Sequence, residues 1–330
     1  MTKIKKEELK DIFRIKLLER GFPVDDAELC AEIFTDNTAS GVYSHGINRF
    51  PLFIEYIDKG LIKPGAKPAL KKSYSAVEQW DGNIGPGPLN AYAVTQRAME
   101  LAEEYGIGCI ALRNTNHWMR AGYFGWMAAE KGFIFICWTN TIPNLPPWNA
   151  KQAATGNNPI VVAVPRKEGP VVLDMALSQF SYGKIADYIN KNRELPYYGG
   201  FDSQGNLTKD PSEINKTQRA LPIGLWKGAG LSLLLDLIAS ILAEGNSTAD
   251  LSKSEYDTGM SQVFIAIKPV FNDKLELYVD EILRFYKSAE PVSVDEVIYY
   301  PGERSARFKK KCEEEGIPVE EQLLDRIKAL

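Results

Sequence analysis

Hydrophobic residues in the N-terminal part of the chain recur every three or four positions, which is the spacing of one face of an α-helix. This pattern predicts helices at residues 4–20, 24–41 and 49–62, and Gly60 lies near the end of the third. The next stretch, KPGAKPALKKSYS at 63–75, is rich in proline and lysine. It is therefore predicted to be a connector at a domain boundary.

Beyond the connector, short apolar runs alternate with helical stretches. The apolar runs predict strands at 76–82, 107–114, 132–141, 158–165, 170–176 and 261–269, and helices are predicted between them at 88–105, 118–131, 179–191 and 230–244. Only RKEG joins the runs at 158–165 and 170–176, which indicates an antiparallel hairpin and excludes a wholly parallel sheet.

Charged helical sequence returns at 272–288 and 303–330. The predicted fold class is α+β, with two domains. A mixed sheet domain spans 75–302, and a helical domain spans 1–74 and is joined by the helices of 303–330.

The composition excludes several classes of protein. A net charge of −4 over 330 residues offers no general attraction for nucleic acid. The N-terminus has no apolar segment like that of a signal peptide, and no run reaches the eighteen or so apolar residues that a membrane span needs. The four cysteines are scattered, without a CxxC pair, which indicates a reducing cytoplasm.

A Rossmann fingerprint is absent. The nearest glycine-rich stretch, LWKGAGLSLLLDLIASIL, has no apolar strand before it and has Leu233 where the third glycine would stand. Lys227 and the amides at this helix start could bind phosphate. A glycine-rich start to a buried helix is the favoured interpretation.

The chain has only two histidines, and each lies at a junction between predicted elements. His45 stands in SGVYSHGINRF, just past a predicted helix, and His117 stands where a strand gives way to a helix. Imidazole titrates near pH ~6.5 and can donate or accept a proton at neutrality. Ser44 precedes His45, but no third group completes a hydrolase triad, and no ligand pattern supports a metal site.

Three charged residues offer further chemistry. Arg49 and Arg120 could each hold a carboxylate in bidentate fashion, although Arg49 also opens a helix and Arg120 could lie on a solvated face. Asp174 ends the strand-like run VVLDMA. It could orient a histidine, but capping of the next helix is the favoured alternative.

Seven stretches of the chain carry a family resemblance. In order they are SGVYSHGINRFPLFI, NTNHWMRAGYFGWMAAEKG, TGNNPIVVAVP, VLDMALSQFSYGKI, GGFDSQGNLTKDP, LPIGLWKGAGLSLLLDLIA and YPGER. Together they resemble the malate/L-lactate dehydrogenase family whose members lack the Rossmann fold. The resemblance implies a largely antiparallel sheet, NADH or NAD as cofactor with NADPH left open, a homodimer and no metal. Trp118 and Arg120 favour the branch of the family that acts on sugar acids.

The resemblance also implies roles for individual residues. His45 would donate the proton, with His117 and Asp174 in the catalytic group, and the substrate would contact Ser44, Arg49, Asn116, Trp118 and Arg120. The cofactor would contact Pro170, Val171, Val172, Leu173, Asp174, Met175, Ala176, Trp226, Lys227, Gly302, Glu303 and Arg304. The chain reads PGER where the sugar-acid branch can read PGHE, so the contact of Glu303 or Arg304 stays open. The alternatives are another 2-hydroxy acid dehydrogenase, a non-catalytic sugar-acid binding protein and a metal-dependent hydrolase.

Overall fold

A computed structural model describes residues 2–269 and 274–330 of the chain. The helices are α1 (Lys6–Leu18), α2 (Val24–Ala39), α3 (Phe50–Asp58), α4 (Gly87–Tyr105), α5 (Gly122–Glu130), α6 (Tyr182–Asn190), α7 (Pro211–Thr217), α8 (Trp226–Ala243), α9 (Thr248–Leu251), α10 (Leu275–Lys287), α11 (Glu303–Glu315) and α12 (Glu321–Lys328). The strands are β1 (Thr2–Ile4), β2 (Ala69–Tyr74), β3 (Val77–Asp81), β4 (Ile107–Asn116), β5 (Ile134–Thr139), β6 (Ile160–Val164), β7 (Val171–Met175), β8 (Gly200–Phe201), β9 (Leu207–Thr208), β10 (Thr258–Ile267) and β11 (Ile317–Val319).

One seven-stranded sheet organises the middle of the chain, in the order β2-β3-β4-β10-β5-β6-β7. Only β3 and β4 run parallel, and α4 forms the crossover that a parallel pair requires. All other pairs in the sheet are antiparallel, including the β6–β7 hairpin. The predicted α+β class and the largely antiparallel sheet are therefore confirmed.

The connector prediction at 63–75 is wrong in part, because residues 69–74 form β2. This strand lies at the edge of the sheet, where Lys71 and Lys72 are exposed. Lysines are common on edge strands because their charge discourages pairing with another chain, so a polar run at a sheet edge lacks the alternation that identifies other strands.

The two ends of the chain meet. The predicted helical end at 303–330 is interrupted by β11, which pairs antiparallel with β1. One hydrophobic cluster joins N-terminal residues such as Phe13 and Phe34 to C-terminal residues such as Cys312 and Leu324. The division into two domains stays a prediction. Of the helix predicted at 272–288, residues 272 and 273 lie outside the described part of the chain.

Helix α8 corrects the expectation that no segment is apolar enough to span a membrane, since its length and mean hydropathy suffice. The face of α8 that packs against the protein is formed mainly by small and apolar residues, together with the polar Ser232 and Asp236. Asn140 Nδ2 donates to the Asp236 carboxylate over 2.8 Å, and Ser232 Oγ donates to the Gly156 carbonyl over 2.5 Å. These buried hydrogen bonds are those of a helix that packs on a sheet.

Candidate active site

A cavity of about 640 Å³ lies where five segments of the chain converge. Two walls come from the 3-10 turn at Tyr43–His45 and from the loop after β4. The others come from the loop before β6, from β7 with the segment that leads into α6, and from the turn before α11. Among the predicted site residues it collects Ser44, His45, His117, Trp118, Arg120, Val172, Leu173, Asp174, Met175, Ala176 and Gly302. Sequence positions that are far apart therefore share one site.

The two histidines stack on each other in this cavity, with ring centroids 5.6 Å apart and planes inclined by 21°. The Asn37 side-chain amide holds the turn that carries His45, because it donates to the His45 carbonyl over 3.0 Å. Ser44 Oγ lies 3.0 Å from His45 Nδ1. The Met119 backbone N–H donates to His117 Nδ1 over 3.0 Å, which assigns the neutral His117 proton to Nε2. His117 therefore presents a hydrogen-bond donor.

The electrostatic surroundings of the two histidines favour the neutral form of each ring. Burial, followed by the positive charges of Arg49 and Arg120, lowers the pKa of His45 to about 4. Burial and Arg49 also lower the pKa of His117. Both rings are consequently neutral at pH 7 in the protein without substrate.

Arg120 lies beneath the cavity with only 5% of its surface exposed. Its Nε is 3.7 Å from Asp174 Oδ2 and makes no hydrogen bond within the described residues. Asp174 Oδ2 accepts instead from the Gly122 N–H over 3.0 Å, so it caps α5 rather than the helix that follows it. Burial raises the pKa of Asp174, against the opposing effects of Arg120 and the Gly122 amide. A buried cation whose charge is only partly offset by a neighbouring carboxylate is suited to bind an anionic ligand.

Glycine is required at position 122 because a Cβ there would lie 2.6 Å from Asp174 Oδ2 and 3.2 Å from Arg120 Nε. The first turn of α5 thus approaches the ion pair more closely than any other residue would allow. The order Arg120-Ala121-Gly122 is therefore explained by the geometry of this corner of the cavity.

Arg49 lies outside the large cavity, in a small pocket that it shares with Tyr56 and His117. Its guanidinium is 3.7 Å from the Asp257 carboxylate, a partner that sequence analysis missed. Asp257 precedes β10 and is separated from Arg49 by most of the chain, so no local pattern could have identified it. The charge of Arg49 reaches both histidines from this position.

Asn116 and Trp118 support the site from behind. The Asn116 amide donates to the Gly85 carbonyl over 3.0 Å, which joins the end of β4 to the loop before α4. Trp118 reaches the cavity wall but is 1% exposed, and its indole meets Phe264 edge-on at 5.6 Å between centroids. Both side chains hold the segment that carries His117.

The proposed cofactor segments are only partly brought together. The Val172 N–H donates to the Pro301 carbonyl over 3.1 Å, which fastens the turn at Gly302 against β7. Gly302 has φ +91°, and a Cβ there would lie 3.1 Å from Val172 N. The turn therefore needs glycine and leaves a close-fitting cradle beside β7.

The other proposed cofactor residues lie off the cavity wall. Glu303 is buried in ion pairs with Lys287 and Arg307, which hold the pKa of its carboxyl below the usual value although burial opposes this. The Arg304 guanidinium lies over the Tyr299 ring. Pro170 and Val171 precede the lining part of β7, and Trp226 and Lys227 begin the exposed face of α8.

Several lining residues were missed by sequence analysis, namely Thr141, Asn157, Ser178, Gln179, Ser181, Lys184 and Ser305. Thr141 follows β5, Asn157 precedes β6, and Ser178 and Gln179 follow β7, while the other three lie at the starts of α6 and α11. Side chains in loops beside strand ends are common functional groups, and this is the signal that could have identified them.

Comparison with known proteins decides the family. The profile of the malate/L-lactate dehydrogenase family matches residues 4–328. The chain belongs to this family. A 2,3-diketo-L-gulonate reductase of Citrobacter koseri is 45% identical over 336 residues, which cover 99% of this chain and 100% of that protein. The predicted resemblance is thereby confirmed, and the protein is an oxidoreductase that acts on a CH–OH group or the corresponding carbonyl.

Solved structures of the family share the fold. A sulfolactate dehydrogenase from Methanocaldococcus jannaschii superposes with a TM-score of 0.88 at 31% identity, covering 99% of this chain and 96% of that one. A malate dehydrogenase from Entamoeba histolytica gives a TM-score of 0.93 at 25% identity, with coverage of 99% and 96%. The chain therefore shares the fold of these dehydrogenases.

Proposed function

We propose that this enzyme reduces 2,3-diketo-L-gulonate to 3-dehydro-L-gulonate with NADH. The observation that carries the proposal is the meeting of a stacked histidine pair and a buried arginine in one cavity. The substrate named for relatives at 44–45% identity over nearly the whole chain supports the choice of this sugar acid.

The residues of the cavity suit reduction of a 2-oxo acid. Arg120 would attract the carboxylate, since its buried charge is only loosely offset by Asp174. The carbonyl oxygen at C2 gains negative charge as the reaction proceeds, and it must receive a proton. His45 would donate that proton, while the Nε2–H of His117 would stabilise the same oxygen.

His45 must gain its proton as the substrate binds. In the free protein the positive charges of Arg49 and Arg120 oppose protonation of the ring. A bound carboxylate offsets those charges and raises the pKa of His45, so the acid forms when its substrate is present. Ser44 Oγ at His45 Nδ1 would keep the other nitrogen directed at the carbonyl.

The cradle fits a nicotinamide cofactor, which membership of a dehydrogenase family implies. Val172, Leu173, Met175, Ala176 and Gly302 would hold it, because they combine backbone groups, apolar side chains and the close approach that glycine permits. The first residues of α6 and α11 line the same cavity, and the N–H groups at these helix starts would favour its phosphates. Such a cofactor would supply the hydride, so the residues of the cavity need only bind the substrate and deliver a proton.

We propose a homodimer that forms through α8. The exposed face of this helix carries apolar side chains that a lone chain would leave in water, among them Leu233, Leu234 and Ile241 at 53%, 55% and 69% exposure. Trp226, at the start of the same face, is 63% exposed.

The four cysteines are all free, which supports the proposed cytoplasmic location.

The deciding experiment follows the oxidation of NADH and of NADPH with 2,3-diketo-L-gulonate, pyruvate and oxaloacetate. We expect the highest kcat/KM with NADH and the sugar acid. His45→Ala should still bind NADH but lose most turnover. Preference for pyruvate or oxaloacetate would replace the sugar acid by another 2-oxo acid, and near wild-type turnover in His45→Ala would remove His45 from the mechanism.

A further inference from the structure

Asn157 lines the cavity with its carboxamide held in a fixed orientation. Asn144 Nδ2 donates to Asn157 Oδ1 over 3.2 Å, and Asn144 Oδ1 accepts from the Asn157 backbone N–H over 2.7 Å. Thr141 Oγ1 lies a further 3.3 Å from Asn157 Oδ1. Asn157 Oδ1 therefore already accepts hydrogen bonds from the protein. The reciprocal pairing with Asn144 also identifies which terminal atom of the Asn157 side chain is the nitrogen Nδ2.

The amide nitrogen of Asn157, in contrast, is available to a ligand. Asn157 Nδ2 makes no hydrogen bond within residues 2–269 and 274–330, and the side chain is part of the cavity wall. An oriented donor that faces a cavity costs little to use, because a ligand need not order it first. It is thus preorganised to bind an oxygen atom.

A series of contacts connects Asn157 to the wall of the cavity that carries His45. The Tyr182 hydroxyl donates to the Asn144 carbonyl over 2.9 Å, which ties the first turn of α6 to the Asn144–Asn157 pair. The next residue, Gly183, packs on Ser44 so closely that a Cβ would lie 2.6 Å from Ser44 Cβ. Ser44 in turn contacts His45. The amide and the proposed proton donor His45 therefore line one cavity and are connected through its wall.

We propose that Asn157 binds an oxygen of the substrate beyond C2, and so selects polyoxygenated 2-oxo acids over short ones. The inference rests on the proposed reduction of a sugar acid at C2. A substrate with a keto or hydroxyl oxygen on the following carbons would accept the Nδ2 hydrogen bond. A three-carbon 2-oxo acid such as pyruvate has no oxygen there, and binding it leaves the donor unused.

The test compares kcat/KM for 2,3-diketo-L-gulonate and pyruvate in wild type and in Asn157→Ala. We expect the ratio of the two values to fall about tenfold, the effect of one well-placed hydrogen bond. The Kd for NADH, measured by its fluorescence on binding, should stay within twofold. Ser73→Ala, an exposed serine on the edge strand β2, is the matched control and should change neither quantity.

Asn157→Asp guards against a folding defect, because it keeps the size of the side chain and the acceptor for Asn144 Nδ2. Its new charge repels both anionic substrates, so the ratio of kcat/KM values still reports the lost donor. An unchanged ratio in both variants overturns the proposal, as does weaker NADH binding that accounts for the whole loss. A wild-type enzyme that does not prefer the sugar acid refutes the proposed function itself, and that outcome is visible before any variant is made.

Discussion

The sharpest consequence of the structure is that both histidines should stay neutral in the free protein until well below neutral pH. The pKa of His45 falls from 6.5 to about 4 through burial and two arginine charges. At 1.36 kcal/mol for each pKa unit, this difference penalises the imidazolium by about 3 kcal/mol. Roughly one His45 ring in a thousand would carry the proton at pH 7 without a ligand.

A bound carboxylate should reverse most of this penalty. A negative charge about 5 Å from the ring, at an effective dielectric constant of ~20, contributes about 3 kcal/mol in favour of the imidazolium. The pKa of His45 in the complex should therefore return to near ~6.5, the ordinary value for histidine. Binding of the anion and uptake of a proton are then two parts of one event.

The measurement uses NMR of the imidazole Cε1–H groups in untagged protein with selectively 13C-labelled histidine. The chain has only two histidines, so two signals suffice, and His45→Gln and His117→Gln assign them. Without ligand neither signal should titrate between pH 8 and pH 5.5. With saturating oxamate, a carboxylate analogue of a 2-oxo acid, the His45 midpoint should move up by two pH units or more.

A midpoint near 6.5 for His45 in the free protein would refute this reasoning, because the burial and the arginine charges would then have no effect on the ring. An unchanged midpoint with oxamate bound would refute the coupling alone. In that case the proton would have to reach the carbonyl by a route that does not depend on the substrate carboxylate.

Three further outcomes follow from particular contacts. Gly302→Ala should lower the free energy of unfolding by about 1–2 kcal/mol and weaken NADH binding, because φ at this residue is +91° and a Cβ would lie only 3.1 Å from Val172 N. Urea denaturation and NADH fluorescence measure the two effects, and unchanged values would mean that the turn can move away from β7. Acidification from pH 7 to 5 should cost about 2 kcal/mol of stability through His45 alone, since the unfolded chain takes up a proton that the folded chain refuses, and His45→Gln should lose less than wild type over that interval. Ile241→Lys should yield a monomer in light scattering, and a dimer that persists would place the interface elsewhere than the exposed face of α8.

The periodicity of the chain was sufficient for most of the fold. Alternating and continuous apolar runs predicted β3 to β7 and β10, since burial on a sheet requires that pattern of side chains. The polar edge strand β2 and the short strand β11 were not predicted, because each is identified by the strand with which it pairs and its own residues show no strand pattern. A local pattern contains no information about a partner that is distant in the sequence.

The residues of the candidate site likewise fall into those that the sequence identified and those that it did not. His45 and Arg120 were singled out because their chemistry is rare in this chain or matches the family. Asp257 and Asn157 were missed because an aspartate and an asparagine in loops are ordinary, and only their neighbours Arg49 and Asn144 give them meaning. The low pKa of His45 was beyond sequence analysis for the same reason, since burial and charges from distant positions produce it.

In the free protein the charge of Arg120 conflicts with the proposed role of His45, because a cation beside a proton donor makes the donor harder to protonate. The conflict disappears when the ligand is an anion. Arg120 adds to the effects of burial and Arg49 that lower the pKa of His45 in the free protein, and it would attract the carboxylate whose binding then favours protonation. Asp174 offsets Arg120 only across 3.7 Å, so most of that attraction remains for the substrate. In the proposed mechanism the arginine would thereby restrict the acid form of His45 to complexes that contain a carboxylate, and so couple proton donation to the recognition of a 2-oxo acid.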